Sequence, residues 1–213
     1  ATAIQNVAFS QTLTAAGGVA PHTYLLEPPN PFPAGITVST AGVVSGMTTA
    51  AAGNYLVTLR VTDSSTGPGS YFELETFTVT VSPPPSVSIA VTPASVSEDG
   101  ATNLTFTVTR SLNLSSPTTV NISTSGTATS GVDYVGGVAT VVIPANATTA
   151  TITLDPTVDG VLEPDETVSI TLAAGTGYTV GVPNSATGTI LNDDLPNLVI
   201  NDVTVTEGNA GIT

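Results

Sequence analysis

The stretch "NLTFTVTR", residues 103–110, alternates apolar side chains with hydroxyl-bearing ones. Successive side chains of a β-strand point to opposite faces of a sheet, so this period of two predicts a strand with one buried face. We expect Phe106 and Val108 to face a core and the alternating threonines to face water.

The same alternation recurs along the chain, for example in "ETFTVTVS" (75–82) and "ATITLD" (150–155). β-Branched residues are dense, and Pro or Gly interrupts any window long enough for several helical turns, so no helix is predicted. The predicted fold class is all-β, and the spacing of strands and turns suits β-sandwiches. A length of 213 residues favours two domains.

Two proline-containing breaks divide the chain. Three prolines at 83–85 cannot donate ladder hydrogen bonds and predict a stiff linker between a first domain, 1–82, and a second, 86–194. A second break in "NDDLPN" begins the tail, 195–213. The segment from Pro196 repeats the pattern of the segment from Pro85, so the tail is predicted to start a further repeat, or to donate its strand to a neighbouring subunit.

Composition excludes several classes of function. Sixteen acidic residues face two basic ones, Arg60 and Arg110, and lysine is absent, giving a net charge of −14. Such a chain has no basic patch for nucleic acid and would be repelled by anionic membranes. No apolar run is long enough to predict membrane insertion.

The side chains needed for most catalysis are missing as well. Cysteine, lysine and tryptophan are absent and His22 is the single histidine, which excludes thiol, Schiff-base and multi-histidine zinc chemistry. A carboxylate pair, Asp159 with Glu163 or Glu166, could imitate a glycosidase, but no tryptophan platform for a sugar accompanies it. We expect no enzymatic activity, and surface or strand packing for His22.

The stretch "VDGVLEPDETVSITL", residues 158–172, concentrates carboxylates in a chain that otherwise has few charges. Repulsion makes such a cluster costly unless its members stay solvated or a cation lies between them. The stretch alone leaves both explanations open.

The first domain resembles the "Putative Ig" (cadherin-like) repeats of bacterial and archaeal surface proteins. The resemblance rests on "FSQTL", a Gly-Gly turn before "PHTY", then "PAGITVS", "GVVSG" and "AAGNYLVTLRVTD", in that order between residues 9 and 63. It implies an immunoglobulin-like sandwich that serves as a spacer or adhesive repeat.

The second domain resembles a Calx-beta domain in four ordered landmarks: "VSEDG" (96–100), "SGTATSGVDYVGGVATVVIPA" (125–145), "VDGVLEPDETVSITL" (158–172) and "ATGTILNDD" (186–194). This resemblance implies a seven-stranded immunoglobulin-like sandwich, of a kind found in sodium/calcium exchangers, adhesins and matrix proteins. It also implies Ca²⁺ ligands on loops at one end of the sandwich: Glu98, Asp133, Asp159, Glu163, Asp193 and Asp194. Second choices are Asp99, Asp165 and Glu166.

The acidic runs are thinner than in calcium sensors of this family, since Val158 and Gly160 flank Asp159 and Asn192 precedes Asp193. Fewer charges predict weak binding, about 10⁻⁴ to 10⁻³ M. The chain is therefore predicted to be a structural or adhesive repeat of an extracellular surface protein, with neighbouring repeats or identical subunits as partners. The alternatives are a calcium-responsive regulatory module and an accessory region of a secreted polysaccharide-degrading enzyme.

Four sequons, all in the second domain, mark possible glycosylation sites: Asn103, Asn113, Asn121 and Asn146.

Overall fold

The computed structural model describes residues 1–68, 71–112 and 114–196. These residues form two β-sandwiches and contain no helix, which confirms the all-β fold class and the tandem immunoglobulin-like architecture. No helix that could cross a membrane occurs among the described residues. The predicted strand of the tail falls on 197–213, outside the described residues, as does the sequon residue Asn113.

In the described part of residues 1–82 the chain forms seven strands. They are β1 (Thr2–Ile4), β2 (Ala8–Thr12), β3 (Thr23–Leu26), β4 (Ile36–Val38), β5 (Val43–Met47), β6 (Gly53–Thr62) and β7 (Phe72–Ser82). One sheet has the order β1-β7-β6-β3, with β1 parallel to β7, and the other has the order β2-β5-β4. Between the sheets lie buried apolar side chains that include Tyr24, Phe32, Val57, Leu59 and Val79.

Ten strands follow in the described part of the second domain. They are β8 (Ser86–Thr92), β9 (Ser95–Ser97), β10 (Leu104–Arg110), β11 (Thr118–Gly126), β12 (Tyr134–Val135), β13 (Thr140–Ile143), β14 (Thr149–Pro156), β15 (Glu166–Leu172), β16 (Thr179–Val180) and β17 (Ser185–Leu191). Two five-stranded sheets result, ordered β12-β14-β10-β8-β16 and β13-β11-β15-β17-β9. Residues 83–85, between β7 and β8, belong to no strand.

The strand predicted from residues 103–110, β10, lies at the centre of its sheet. β10 pairs antiparallel with both β8 and β14, and Phe106 lies opposite Val91 on one side and Ile152 on the other. Phe106 and Val108 are fully buried, as the alternation predicts.

The second sandwich has more strands than the seven that the resemblance implies, partly because its first strand is divided. Pro93 has no N–H to donate, so the ladder of β8 stops at Thr92. The chain then enters the other sheet as β9, which runs parallel to β17. This switch takes the end of β9 to the far side of the sandwich from β8.

Arg110, the last residue of β10, is buried although no carboxylate contacts it among the described residues. Burial lowers the pKa of its guanidinium. Its nitrogens donate instead to five oxygens: the carbonyls of Leu114, Ser116, Pro144 and Ala147, and the Thr118 hydroxyl. Arg110 therefore ties the β10–β11 and β13–β14 connections together.

Candidate metal centre

Four connections of the second sandwich converge at one end, which we call the acidic pole. The pairings explain the convergence: Ser97 at the end of β9 lies opposite Leu191 at the end of β17, and Glu166 at the start of β15 lies opposite Ile190. In the other sheet, Tyr134 of β12 lies opposite the end of β14. The segments that carry the acidic residues leave the sheets at these points.

The carboxylates of the acidic pole form two groups of three. The first group contains Glu98, Asp159 and Asp194, and the second contains Asp133, Glu163 and Glu166; within each group one oxygen from every residue lies within 4.8 Å of the others. Five of the six predicted ligands therefore fall into these groups. Glu166, a second choice from the sequence, completes the second group.

Asp193 is the predicted ligand that lies outside both groups. Its carboxylate accepts hydrogen bonds from the Ser97 hydroxyl and from the Asp99 backbone N–H. It therefore fixes the residues on both sides of Glu98, and it also adds negative charge beside the first group. In the sequence, Ser97 is the residue that could have indicated this contact, because its hydroxyl can donate to a carboxylate.

Glu98 is the most unusual member of the first group because its side chain is only 5% exposed. Its backbone N–H donates to the Leu191 carbonyl, which holds it against β17. No donor among the described residues bonds to its carboxylate. Burial raises the pKa of Glu98, and the charges of Asp159, Asp194, Glu163 and Asp193 raise it further.

Asp159 and Asp194 complete the first group from two exposed loops. The Asp159 carboxylate accepts the Val161 N–H at 2.7 Å, which closes a short turn in the β14–β15 connection. Asp194 follows β17, and desolvation raises its pKa first, followed by the charges of Asp99, Asp159 and Asp193. The pKa shifts of Glu98 and Asp194 thus have the same two causes, desolvation first and then the negative charges of neighbouring carboxylates.

The second group is built around a carboxyl pair. Asp133 is 9% exposed and accepts the Thr129 N–H, which fixes the turn before β12. Burial raises the pKa of Glu166 to about 6, assisted by a hydrogen bond with Asp133 and by the charges of Asp133, Glu163 and Glu98. These two carboxyl groups lie close enough for their negative charges to repel each other.

Asn192 connects the two groups without contributing a charge. Its side-chain oxygen accepts the Glu163 N–H and its amide group donates to the Asp194 carbonyl, both at 3.1 Å. Its own backbone N–H donates to Asp165. Asn192, a neutral residue in an otherwise acidic segment, therefore orders the loops that carry Glu163 and Asp194.

The donor set fits a hard divalent cation. All the side chains in both groups offer carboxylate oxygens, and Ca²⁺ binds six to eight oxygens at 2.3–2.6 Å, so two ligands on opposite sides of one ion lie about 5 Å apart. Glu98 supplies the strongest sign, since its carboxylate has no donor among the described residues and lies among carboxylates whose charges a cation would offset. In both groups the three carboxylates lie close enough together to contact one such ion.

The other residues considered from the sequence lie elsewhere. Asp159 belongs to one group and both of its candidate glycosidase partners belong to the other. His22, half-buried in the first sandwich, lies just before β3 and its Nε2 donates to the Gly17 carbonyl at 2.8 Å. Asn121 lies within β11 and its side-chain amide donates to Ala174, whereas Asn146 is exposed in the β13–β14 connection.

Comparison with known proteins identifies both domains. The family model described as "Calx-beta domain" matches residues 81–194, and the one described as "Putative Ig domain" matches residues 1–82. No curated protein matches the chain.

Solved structures similar to this chain include Calx domains and the ectodomain of a desmocollin. The apo-form Calx CBD1 domain is 28% identical, with 51% of this chain and 98% of that chain covered and a TM-score of 0.43. CBD12 from CALX1.2 is 29% identical at a TM-score of 0.43, with 50% of this chain covered and 44% of that chain. The human Desmocollin-1 ectodomain is 12% identical at a TM-score of 0.34, with 91% and 41% covered.

Both matched families are non-catalytic types of β-sandwich module. The Calx-beta match covers more than half of the 213 residues. The chain therefore belongs to the Calx-beta domain family, and its Calx-beta sandwich follows an immunoglobulin-like one.

Proposed function

We propose that this chain is a structural, adhesive repeat module of an extracellular surface protein and that Ca²⁺ binds at its acidic pole. The observation that carries the proposal is Glu98, a residue only 5% exposed whose carboxylate has four other carboxylates near it and no donor among the described residues. A cation removes this repulsion and replaces the missing donor. Membership of a family of repeat modules supports the structural part of the proposal.

In the proposed site, Glu98 and Asp159 hold the ion from the body of the sandwich, and Asp194 holds it from the chain that leaves the sandwich. Asp194 directly precedes Leu195 and Pro196, so a ligand at this position fixes the direction in which the chain continues. Bound Ca²⁺ supplies the positive charge that lets these segments lie together. The expected consequence is a stiffer connection to the next repeat or subunit.

We expect the affinity to be that of an extracellular module rather than of a sensor. Each group holds three carboxylates, and Asn192 stands where a further acid would raise the charge. Dissociation constants of about 10⁻⁴ to 10⁻³ M are typical of such sites. At a Ca²⁺ concentration ten times the Kd, mass action adds about 1.4 kcal/mol to the free energy of unfolding of the second sandwich.

The test is thermal unfolding of the chain in EGTA and across a Ca²⁺ titration, with Mg²⁺ as the comparison cation. We expect the transition of the second sandwich to move upward over millimolar Ca²⁺. Glu98→Gln combined with Asp159→Asn should abolish the shift, and Asp155→Asn, an exposed carboxylate outside both groups, should retain it. Absence of any Ca²⁺-dependent shift would refute calcium binding.

Two outcomes separate the proposal from its alternatives. Saturation at micromolar Ca²⁺ would favour a regulatory module, since sensors bind at about 10⁻⁷ to 10⁻⁵ M. A catalytic domain for polysaccharide in the complete reading frame would favour an accessory region of an enzyme. Donation of the tail strand to a second subunit stays a prediction, and electron microscopy of the purified chain for filaments tests it.

A further inference from the structure

The first sandwich contains a cleft of about 650 Å³ beside the β6–β7 hairpin, which we call the hairpin cleft. Its floor includes Leu59 and Tyr24, which are 1% and 6% exposed, and its wall includes Phe77. The opposite wall is the loop from Leu13 to Gly18. Among the described residues, none from the strands of the three-stranded sheet lines the cleft, so this end of the sandwich stays open.

Two glutamates of β7 face the hairpin cleft from a position where a core residue is expected. Glu75 lies opposite Leu59, and Glu73 lies opposite Val61. Because residues two apart share a face of a strand, both glutamates lie on the same face as Phe77, whose side chain packs against the core. Both are exposed, and no hydrogen bond or ion pair within the described residues engages either carboxylate.

A third carboxylate at the hairpin cleft belongs to Asp63. The N–H of Val19 lowers its pKa most, and the Ser65 N–H and hydroxyl contribute, so Asp63 stays ionised. Adding a Cβ at Gly18 would bring it within 2.5 Å of the Asp63 carboxylate, so the glycine keeps the loop close to this charge. The cleft therefore combines an aromatic floor with three negative charges.

We propose that the hairpin cleft binds a basic side chain, lysine or arginine, of a partner protein. Carboxylates form strong charge-assisted hydrogen bonds with ammonium and guanidinium groups, and aromatic rings attract both cations. The apolar stem of either side chain can pack on Val61 and Phe77, which are partly exposed, while its charged end meets Glu73 and Glu75. A volume of about 650 Å³ lies within the range of small-ligand sites.

Other occupants fit the observations less well. The carboxylates of the hairpin cleft do not form a group compact enough for a metal ion, unlike those of the acidic pole. A second copy of this chain has no lysine to offer, its Arg110 is buried, and its Arg60 pairs with Glu27. The partner must therefore be a different protein that presents an exposed basic residue.

The test uses two capped tripeptides, acetyl-Gly-Arg-Gly-amide and the same peptide with uncharged citrulline, titrated into the whole chain in EGTA. Backbone amide shifts in NMR spectra report the site of binding. We expect saturable shifts in residues 13–24 and 59–77 for the arginine peptide only, and a similar response to a lysine peptide. Raising the salt concentration should weaken binding, because exposed charges are screened.

Glu75→Gln is expected to weaken binding about tenfold, since glutamine can still accept a hydrogen bond but lacks the negative charge that strengthens it. Asp155→Asn removes the same charge from the second sandwich and should leave the affinity unchanged. A spectrum of Glu75→Gln that matches the wild type away from the hairpin cleft would show that the variant is folded. Equal binding of the citrulline peptide, no effect of Glu75→Gln, or no saturable shift at millimolar peptide would each overturn the proposal.

Because the titration is done without Ca²⁺, its result is independent of the calcium site. A partner bound at the hairpin cleft would make the first sandwich the adhesive part of the proposed module, and the Calx-beta sandwich would then serve as its spacer.

Discussion

In calcium-free buffer the second sandwich should be more stable at pH 5 than at pH 7.5, and Glu166→Gln should remove much of the difference. Glu166 has a pKa raised to about 6, chiefly by burial and then by the hydrogen bond and charge of Asp133. Its ordinary value is 4.5. The folded state therefore holds this proton more tightly than the unfolded state does.

The direction of this pH dependence follows from the linkage between proton binding and folding. The stabilisation that protonated Glu166 provides is fully present below pH 4.5 and is lost as the pH rises through about 6. A pKa difference of about 1.5 corresponds to about 2 kcal/mol. Because Glu166 is partly exposed, solvent screens part of this effect and the expected loss is nearer about 1 kcal/mol.

The assay is urea unfolding at both pH values in EGTA, followed through NMR signals of Tyr134 and Tyr178, which belong to the second sandwich. Glu166→Gln keeps the hydrogen-bonding shape of the protonated carboxyl and should make the unfolding free energy less dependent on pH. Some dependence should persist, since Glu98 and Asp194 also have raised pKa values. Asp155→Asn is the matched control. A wild-type sandwich that is more stable at pH 7.5 than at pH 5 would refute the electrostatic reasoning.

Three further substitutions probe the framework of the second sandwich. Arg110→Met leaves buried carbonyls without a donor and should lower the free energy of unfolding by at least about 3 kcal/mol, measured by urea unfolding, with Arg110→Lys a partial rescue. Phe106→Ala should cost about 3–5 kcal/mol in the same assay, since the side chain is fully buried; a loss below about 1 kcal/mol would contradict the described packing. Gly126→Ala should accelerate hydrogen exchange along β11 and β15. Gly126 has a φ of +134°, and an added Cβ would lie 2.0 Å from the Thr167 carbonyl oxygen. Exchange at the wild-type rate would contradict this prediction.

Much of the fold follows from local pattern. Alternation identifies Phe106 and Val108 as core residues because side chains of a strand alternate between faces, whatever the rest of the chain does. Composition excludes whole classes of chemistry for the equally local reason that the reacting groups are missing. The acidic landmarks predict the loops that carry the carboxylates, and these loops meet at one end of the second sandwich.

The sequence does not determine how those carboxylates divide. Asp193 and Asp194 are neighbours, yet one bonds to Ser97 and Asp99 and the other joins Glu98 and Asp159. The division depends on which strand ends are paired, and such pairings join residues far apart in the chain.

Burial is likewise decided by tertiary structure. Glu98 looks like an ordinary loop residue in "VSEDG", but the parallel pairing of β9 with β17 leaves it 5% exposed. Glu75 occupies a core-facing position of β7 and is nevertheless exposed, because the facing sheet does not line this end of the sandwich. Local pattern thus accounts for the strands and for the chemistry they carry. Which acidic residues become largely buried depends on the folded chain, because solvation is set by what packs against a residue and not by its neighbours in the sequence.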